Sequence, residues 1–395
     1  MIHLRLSYLK ACFTFMRTPI PTSLYIHIPW CIKKCPYCDF NSHEINGSLP
    51  EENYINALIE DFKHDISLFK PRLIDTIFIG GGTPSLFKGE SYAKLFAELQ
   101  KLVTFSDDIE ITLEANPATV ELIYLAEYCK LGINRLSLGV QSFNDNLLKK
   151  IGRIHSSSEA LAAIKAAKNA GFTNINIDLM YGIPEQTLQD GIKDIEIALN
   201  LPITHLSWYQ FTIEKNTYFS KYPPVSMPED IAENLEKLAF KLLKNANFKR
   251  YEISAFAREN ALAKHNMNYW TFGDYFGIGA GAHGKLTDPN TKKIFRTQKT
   301  RLPKSYLNQE APKLIETKIL SSQDLIFEYM LNATRLEGEI PFSLFKERTF
   351  LDIALLNKAL VKAVKKNLLK LTTNGFIVTD LGRRFTNNLQ MEFLT

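Results

Sequence analysis

Apolar positions along this chain follow two alternating rhythms. Compact apolar or strictly alternating runs at residues 24–28, 76–79, 109–113, 135–140, 175–180 and 205–211 each end on Gly, Pro or a polar residue. Runs of that kind are strands. Between them the apolar spacing changes. Leu122, Leu125, Ala126 and Cys129 fall at i, i+3, i+4 and i+7, one face of a helix, which makes Cys129 a core residue rather than a ligand. Gly132 sits where a helix C-cap belongs. A second helix starts after Ser156-Ser157-Ser158, packs Leu161 and Ile164, and ends at Gly171.

Each interval between strands leaves room for a crossover helix, so the six β-α units predict a parallel sheet with right-handed connections. Six units fall two short of a (β/α)8 barrel. The expected fold is α/β, an open (β/α)6 partial barrel whose chemistry lies at the C-terminal ends of its strands. After residue 211 the alternation breaks. Residues 228–245 read as a polar-faced helix, 250–256 as a strand, and 265–284 as an aromatic, Gly-rich stretch. From about residue 300, helical runs at 322–336 and 353–368 and a short strand at 376–379 predict a small helical domain with a β-wing. The expected organisation is an N-terminal extension at 1–22, the barrel at 23–285 and the C-terminal domain at 300–395.

In the extension, Arg5, Lys10 and Arg17 interrupt any apolar core and no small-residue cleavage site follows, so it is not a secretory signal. Met16 is the better start, which leaves residues 1–15 as an added segment and Cys12 outside any ligand set. The chain has 395 residues, 45% of them hydrophobic and 23% charged, an ordinary globular composition. Its net charge of +5 is scattered, which argues against nucleic-acid binding. No apolar run approaches the roughly 18 residues of a membrane span.

Chemistry concentrates first in Cys31, Cys35 and Cys38, spaced C-x3-C-x2-C directly after the first strand and holding three of the five cysteines. Thiolates are soft ligands suited to iron–sulfur clusters. Three of them on a [4Fe–4S] cube leave one iron open. Zinc with His27 or His43 completing the set stays an alternative; a disulfide pairing leaves one cysteine over. Clustered thiols imply a reducing compartment, the cytoplasm. Gly80-Gly81-Gly82-Thr83 ends the second strand, where missing Cβ atoms and free N–H groups suit an anion. Glu114 ends the third strand, Gln141 the fourth, and Asp178 lies on the fifth. Arg153 supplies a cation for a carboxylate.

The Cys spacing after a strand, with Tyr37 before the last Cys, resembles the radical S-adenosylmethionine (SAM) enzymes, in which the amino and carboxylate groups of SAM chelate the open iron. Tyr25-Ile26-His27-Ile28-Pro29-Trp30-Cys31, residues 80–84, residues 134–143 and Asp178-Leu179-Met180-Tyr181-Gly182 resemble the oxygen-independent coproporphyrinogen III oxidase group. That resemblance implies that Cys31, Cys35 and Cys38 hold the cluster. It also implies that Tyr25, Tyr37, Gly81, Gly82, Thr83, Glu114, Gln141, Arg153 and Asp178 contact SAM. The group is described with two SAM sites.

Two subgroups share these motifs, the oxidase proper and the heme chaperones called HemW. The oxidase pattern has a further Cys where this chain has Phe40, and His265-Asn266-Met267-Asn268-Tyr269-Trp270 is similar to the chaperones' HNxxYW motif. The residues at 274–284 agree with the chaperones too. The resemblance therefore implies a protein that binds heme and delivers it to an unidentified acceptor, a respiratory, membrane-associated protein being one option. Coproporphyrinogen III oxidation is the alternative, and no catalytic residue is assigned. Imidazole suits iron, so His265 is the expected axial heme ligand, with Tyr269 and Trp270 stacking on the porphyrin and His283 the alternate ligand. Glu185 and Ala255 depart from the expected Gly and Asn.

Overall fold

The computed structural model describes residues 20–117 and 124–394. Cys12 and Leu122 lie outside the described residues. Strands β1 (Thr22–Ile28), β2 (Leu73–Gly81), β3 (Thr104–Ala115), β4 (Arg135–Gln141), β5 (Asn174–Tyr181) and β6 (His205–Gln210) pair in parallel in that order. Helices α1 (Glu51–Phe69), α2 (Gly89–Gln100), α3 (Leu125–Lys130), α4 (Ser157–Asn169) and α5 (Leu188–Leu199) fill the connections, and α6 (Glu229–Asn245) follows β6. Gly132 follows α3 with φ +87°, a left-handed position that suits glycine. Ser156 caps α4 with Glu159 answering from N3, a capping box.

Side-chain alternation along the strands divides two environments. Ile26, Ile77, Ile111, Leu136 and Ile177 join Phe62, Leu95, Ile164 and Ile195 of the helices in one apolar core. The opposite strand face is polar yet buried, with Ser23, Thr76, Glu110, Arg135, Asn176 and His205. These inner groups bond to each other: Thr76 to Ser23 at 2.7 Å, Asn176 to Ser137 at 2.8 Å and His205 to Asn176 at 2.6 Å. A polar interior of this kind is stable only when its groups find partners.

The sheet extends past the six expected strands. At one edge β6 pairs antiparallel with β8 (Ala255–Ala257), which pairs with β7 (Lys249–Glu252). The strand expected at 250–256 is thus two short strands. Helix α7 (Lys264–Trp270) follows. At the other edge β9 (Asp274–Ile278) adds parallel to β1, and β10 (His283–Thr287), β11 (Ile294–Lys299) and β12 (Leu314–Ile319) continue antiparallel. The described order is β12-β11-β10-β9-β1-β2-β3-β4-β5-β6-β8-β7. Glycines hid β9 in the sequence. A Cβ on Gly277 would meet the His283 carbonyl oxygen at 1.9 Å, so only glycine lets β10 close on it.

A second apolar core holds the C-terminal region together. Tyr329 and Met330 of α8 (Ser322–Ala333), Leu344 and Phe345 of α9 (Phe342–Thr349) and Leu360 of α10 (Asn357–Lys365) pack with Phe376. Strands β13 (Glu339–Pro341), β14 (Leu369–Leu371) and β15 (Gly375–Val378) form its small sheet, in the order β13-β15-β14. Phe272 and Ile294 also belong to this core, so the long sheet and the C-terminal helices share a seam. Two helical expectations change. The run at 353–368 is a 3₁₀ turn followed by α10, and the run at 322–336 stops at Ala333. On α4, Ile164 is buried with Ala160, Ala163 and Ala167, but Leu161 is 39% exposed: small residues, not Leu161, meet the sheet.

Candidate functional site

Pro29 ends β1, and Trp30–Cys31 then pairs with His43–Glu44. That pairing closes residues 32–42 into a loop carrying Cys35 and Cys38, with Cys31 at its base; all three are free thiols. Cys31 Sγ lies 3.6 Å from the His43 carbonyl, Cys38 Sγ lies 3.5 Å from Ser42 Oγ, and Arg153 Nη1 donates to Cys35 Sγ at 3.8 Å. Burial pushes the Cys31 thiol up to about 11, and the other two cysteines push it the same way. Three mutually opposed thiolates gain from positive charge among them. Among the described residues no three His, Cys, Asp or Glu side chains converge on one ion. A cube takes each thiolate at a different iron, so spaced thiols on one loop fit a cluster.

Asn41 fastens this loop to the sheet. Its side-chain amide donates to the Ala280 and Arg301 carbonyls at 2.9 and 2.8 Å, and its own carbonyl lies 2.9 Å from His27 Nε2. Gly281 passes so close that a Cβ there would meet the Asn41 amide at 2.5 Å.

The glycine run has a different use from the one its composition suggests. Gly81 N–H donates to Glu114 Oε2 at 3.0 Å, Gly82 N–H to the Ile28 carbonyl and Thr83 N–H to the Trp30 carbonyl, both at 2.7 Å. These N–H groups are spent within the fold and do not form a free anion cradle. A Cβ on Gly81 would strike the His27 ring at 2.5 Å, and one on Gly82 the Trp30 carbonyl oxygen at 2.3 Å. The missing Cβ atoms let the cysteine loop lie down on β2.

Around this floor the remaining candidates come together at the strand ends. Burial raises the Glu114 carboxyl to about 7, with Asp178 adding to the effect. Asp178 is raised as well by burial, offset by hydrogen bonds from Asn176 and Ser207. Gln141 has φ 71° and accepts from the Tyr209 hydroxyl at 3.0 Å. Arg153 donates to Asn116 Oδ1 and, at 2.6 Å, to the Gly139 carbonyl. Tyr25 meets His27 Nδ1 at 2.8 Å, and Tyr37 packs edge-on against Phe211 at 6.2 Å. Sequence reasoning missed Asn41, Asn116 and Tyr209. Asn116, two residues past Glu114 at the end of β3, is the one whose position offered a signal.

His265 belongs to α7, which plugs the polar interior of the sheet. Its ring nitrogens meet Thr76 Oγ1 at 2.8 Å and the Tyr269 hydroxyl at 2.9 Å, and its backbone N–H meets Glu110 Oε1 at 3.2 Å. Asn268 donates to Ser23 and to the Asp274 carbonyl, both at 2.8 Å. Burial pushes the His265 imidazole down to about 3, with Arg135 acting in the same direction. Both nitrogens are engaged, so iron would have to displace Thr76 or Tyr269. Tyr269 and Trp270 instead wall a cavity of about 440 Å³ together with Phe40, Tyr275 and His283.

A family model described as the radical SAM superfamily matches residues 25–198, and one described as the HemN C-terminal domain matches residues 320–385. The chain is 45% identical to the heme chaperone HemW of Haemophilus influenzae, covering 95% of this chain and 98% of that protein. It is 41% identical to the heme chaperone HemW of Escherichia coli, with the same coverage. The solved structure of the Escherichia coli coproporphyrinogen III oxidase HemN, a radical SAM enzyme, superposes with TM-score 0.80 at 24% identity, over 99% of this chain and 93% of that one. That likeness shares the fold. With full-length relatives at this identity around a cysteine loop laid on a parallel sheet, the chain belongs to the HemW heme chaperone family of the radical SAM superfamily.

Proposed function

We propose that this protein binds heme and passes it to an acceptor protein, and that it carries a [4Fe–4S] cluster with SAM beside it. Cys31, Cys35 and Cys38 would hold the cluster, whose fourth iron would take the SAM amino and carboxylate groups. Glu114 and Asp178 offer half-buried carboxylates for ribose hydroxyls, and Gln141 and Arg153 offer donors. Tyr25, Tyr37, Gly81, Gly82 and Thr83 shape the floor on which SAM would rest. The relatives' shared name over nearly the whole chain carries the reading. Phe40 supports it: the ring stands where the oxidase pattern has a fourth cysteine, is 60% exposed, and lines the same cavity as His283. Coproporphyrinogen III oxidation is the disfavoured alternative.

His265 serves as an iron ligand only if it gives up Thr76 or Tyr269. The unit at 23–285 carries the cluster and SAM in this reading, and the region at 300–395 closes the heme cavity from the other side. The cytoplasm, a reducing compartment, suits three free clustered thiols. No helix among the described residues is long and apolar enough to cross a membrane, so a membrane-bound acceptor would be met from outside the bilayer.

The test is anaerobic reconstitution of the full chain, followed by a hemin titration beside an assay for coproporphyrinogen III decarboxylation. Saturable heme binding without decarboxylation is the expected result. Robust decarboxylation overturns the chaperone reading.

A further inference from the structure

We propose that heme lies in the cleft between strands β9–β11 and helix α8, with His283 as the iron ligand, Phe40 and Tyr269 against the porphyrin, and Arg301 at a propionate. This assignment rests on the heme-carrier reading and makes it specific.

The cleft has two neighbouring compartments that share lining residues. One, of about 440 Å³, is walled by Phe40, Tyr269, Trp270 and Tyr275. The other, of about 830 Å³, runs past Phe327 and Leu331 of α8 and Leu394. His283, Tyr275 and Arg296 line both, so His283 stands at their junction. Small-molecule clefts commonly measure about 300–1,000 Å³, mostly apolar with a few placed polar groups. Exposed aromatic rings suit a flat apolar macrocycle. Phe40 is 60% exposed with no aromatic partner among the described residues, as a ring waiting for a ligand would be.

His283 opens β10, which pairs with β11 through His283 and Gln298. Its position is therefore set by the sheet. Its side chain is exposed and makes no hydrogen bond among the described residues. A neutral imidazole with a free nitrogen is an iron ligand that needs no prior rearrangement. His265 differs on each point: it is 1% exposed and bonded at both nitrogens. Among the described residues the exposed Arg301 has no ion pair. Asn41, which lines the cleft, donates to the Arg301 backbone carbonyl at 2.8 Å, which sets this cation at the cleft's margin for a heme carboxylate. Arg296 is less free, being paired with Glu328 at 2.5 Å.

The cleft also touches the cluster loop. Asn41 lines it beside Phe40 and bonds to Ala280, three residues before His283. Heme seated on His283 would have the cluster loop as one wall.

The experiment is a hemin titration of the reconstituted full chain, wild type against His283→Ala, His265→Ala and Arg301→Ala. The position of the Soret band, the affinity and the cluster iron content are read in each. Iron-free protoporphyrin IX is titrated in parallel, because it fills the cleft without needing an axial ligand. His283→Ala should shift the Soret band and weaken hemin binding at least tenfold, while protoporphyrin IX affinity and cluster iron stay at wild-type levels. Added imidazole should restore the wild-type band. Arg301→Ala should weaken both porphyrins without moving the band. A wild-type band and affinity in His283→Ala overturn the ligand assignment while leaving heme carriage standing. No hemin binding by the wild type overturns both.

Discussion

The Asn41 side-chain amide donates to the Ala280 carbonyl at 2.9 Å, across 239 positions of the chain. This bond joins the loop that carries Cys31, Cys35 and Cys38 to the turn that leads into His283. Gly281 allows the approach, since a Cβ there would fall 2.5 Å from the same amide. The proposed cluster and heme sites therefore share one rigid seam rather than standing on separate parts of the molecule.

Asn41→Ala should loosen that seam. The change strips hydrogen-bond partners from the Ala280 and Arg301 carbonyls, a loss of about 1–3 kcal/mol. Denaturant unfolding of wild type and variant measures the loss, and the rate of iron release to a chelator reports on the loop. An unchanged release rate would mean that Asn41 does not hold the cysteine loop.

Each of Cys31→Ala, Cys35→Ala and Cys38→Ala should abolish the cluster, because three ligands leave no spare. Cys129→Ala should retain it: Cys129 packs against the apolar core, near Gly171. Iron and sulfide analysis after anaerobic reconstitution decides the matter. Full iron content in the Cys35 variant would refute the ligand set.

Gly82→Ala tests the floor beneath the site. The added methyl would sit 2.3 Å from the Trp30 carbonyl oxygen, a backbone atom that cannot rotate away. Trp30 precedes Cys31, so cluster content and SAM binding should fall together. Loss of SAM binding at full iron content would instead restore the direct-contact reading of this glycine.

His265 should behave as a structural plug. His265→Ala leaves Thr76 and Tyr269 without their buried partner, at a cost of about 3 kcal/mol. The pH dependence has a definite sign. Burial holds the folded imidazole at about 3, below its ordinary 6.5. As pH falls from 6.5 toward 3 the unfolded chain takes up a proton that the folded chain refuses. Stability then falls by about 1.4 kcal/mol per pH unit across that window. His265→Gln removes the titrating group, so the stability difference between wild type and His265→Gln should shift against wild type on acidification. Parallel pH profiles for the two proteins would show that His265 is not a buried neutral imidazole.

Much of the fold is written locally. The six parallel strands and their helices follow from apolar spacing, which each segment carries by itself. The cysteine loop is equally legible, because its three cysteines lie within eight residues. So is the gathering of Glu114, Gln141 and Asp178: each lies at or near the end of a strand, and parallel pairing brings those ends together. Other features depend on residues far apart in the chain. Strand β9 is broken in the sequence by Gly277, and it became a strand by adding to the open edge of β1. The glycines at 81 and 82 read as a ligand cradle; the close approach of the His27 ring and the Trp30 carbonyl, brought against them by the fold, was not legible locally. His265 and His283 are both histidines beside aromatic residues, and the local pattern at 265–270 ranks His265 first. Tertiary structure separated them: the first is closed off by Thr76, 189 positions away, and the second is left at the junction of two cavities. Periodicity encodes which face of an element is apolar. It does not encode which polar groups from distant segments meet, and those meetings decide which imidazole nitrogens are bonded within the fold.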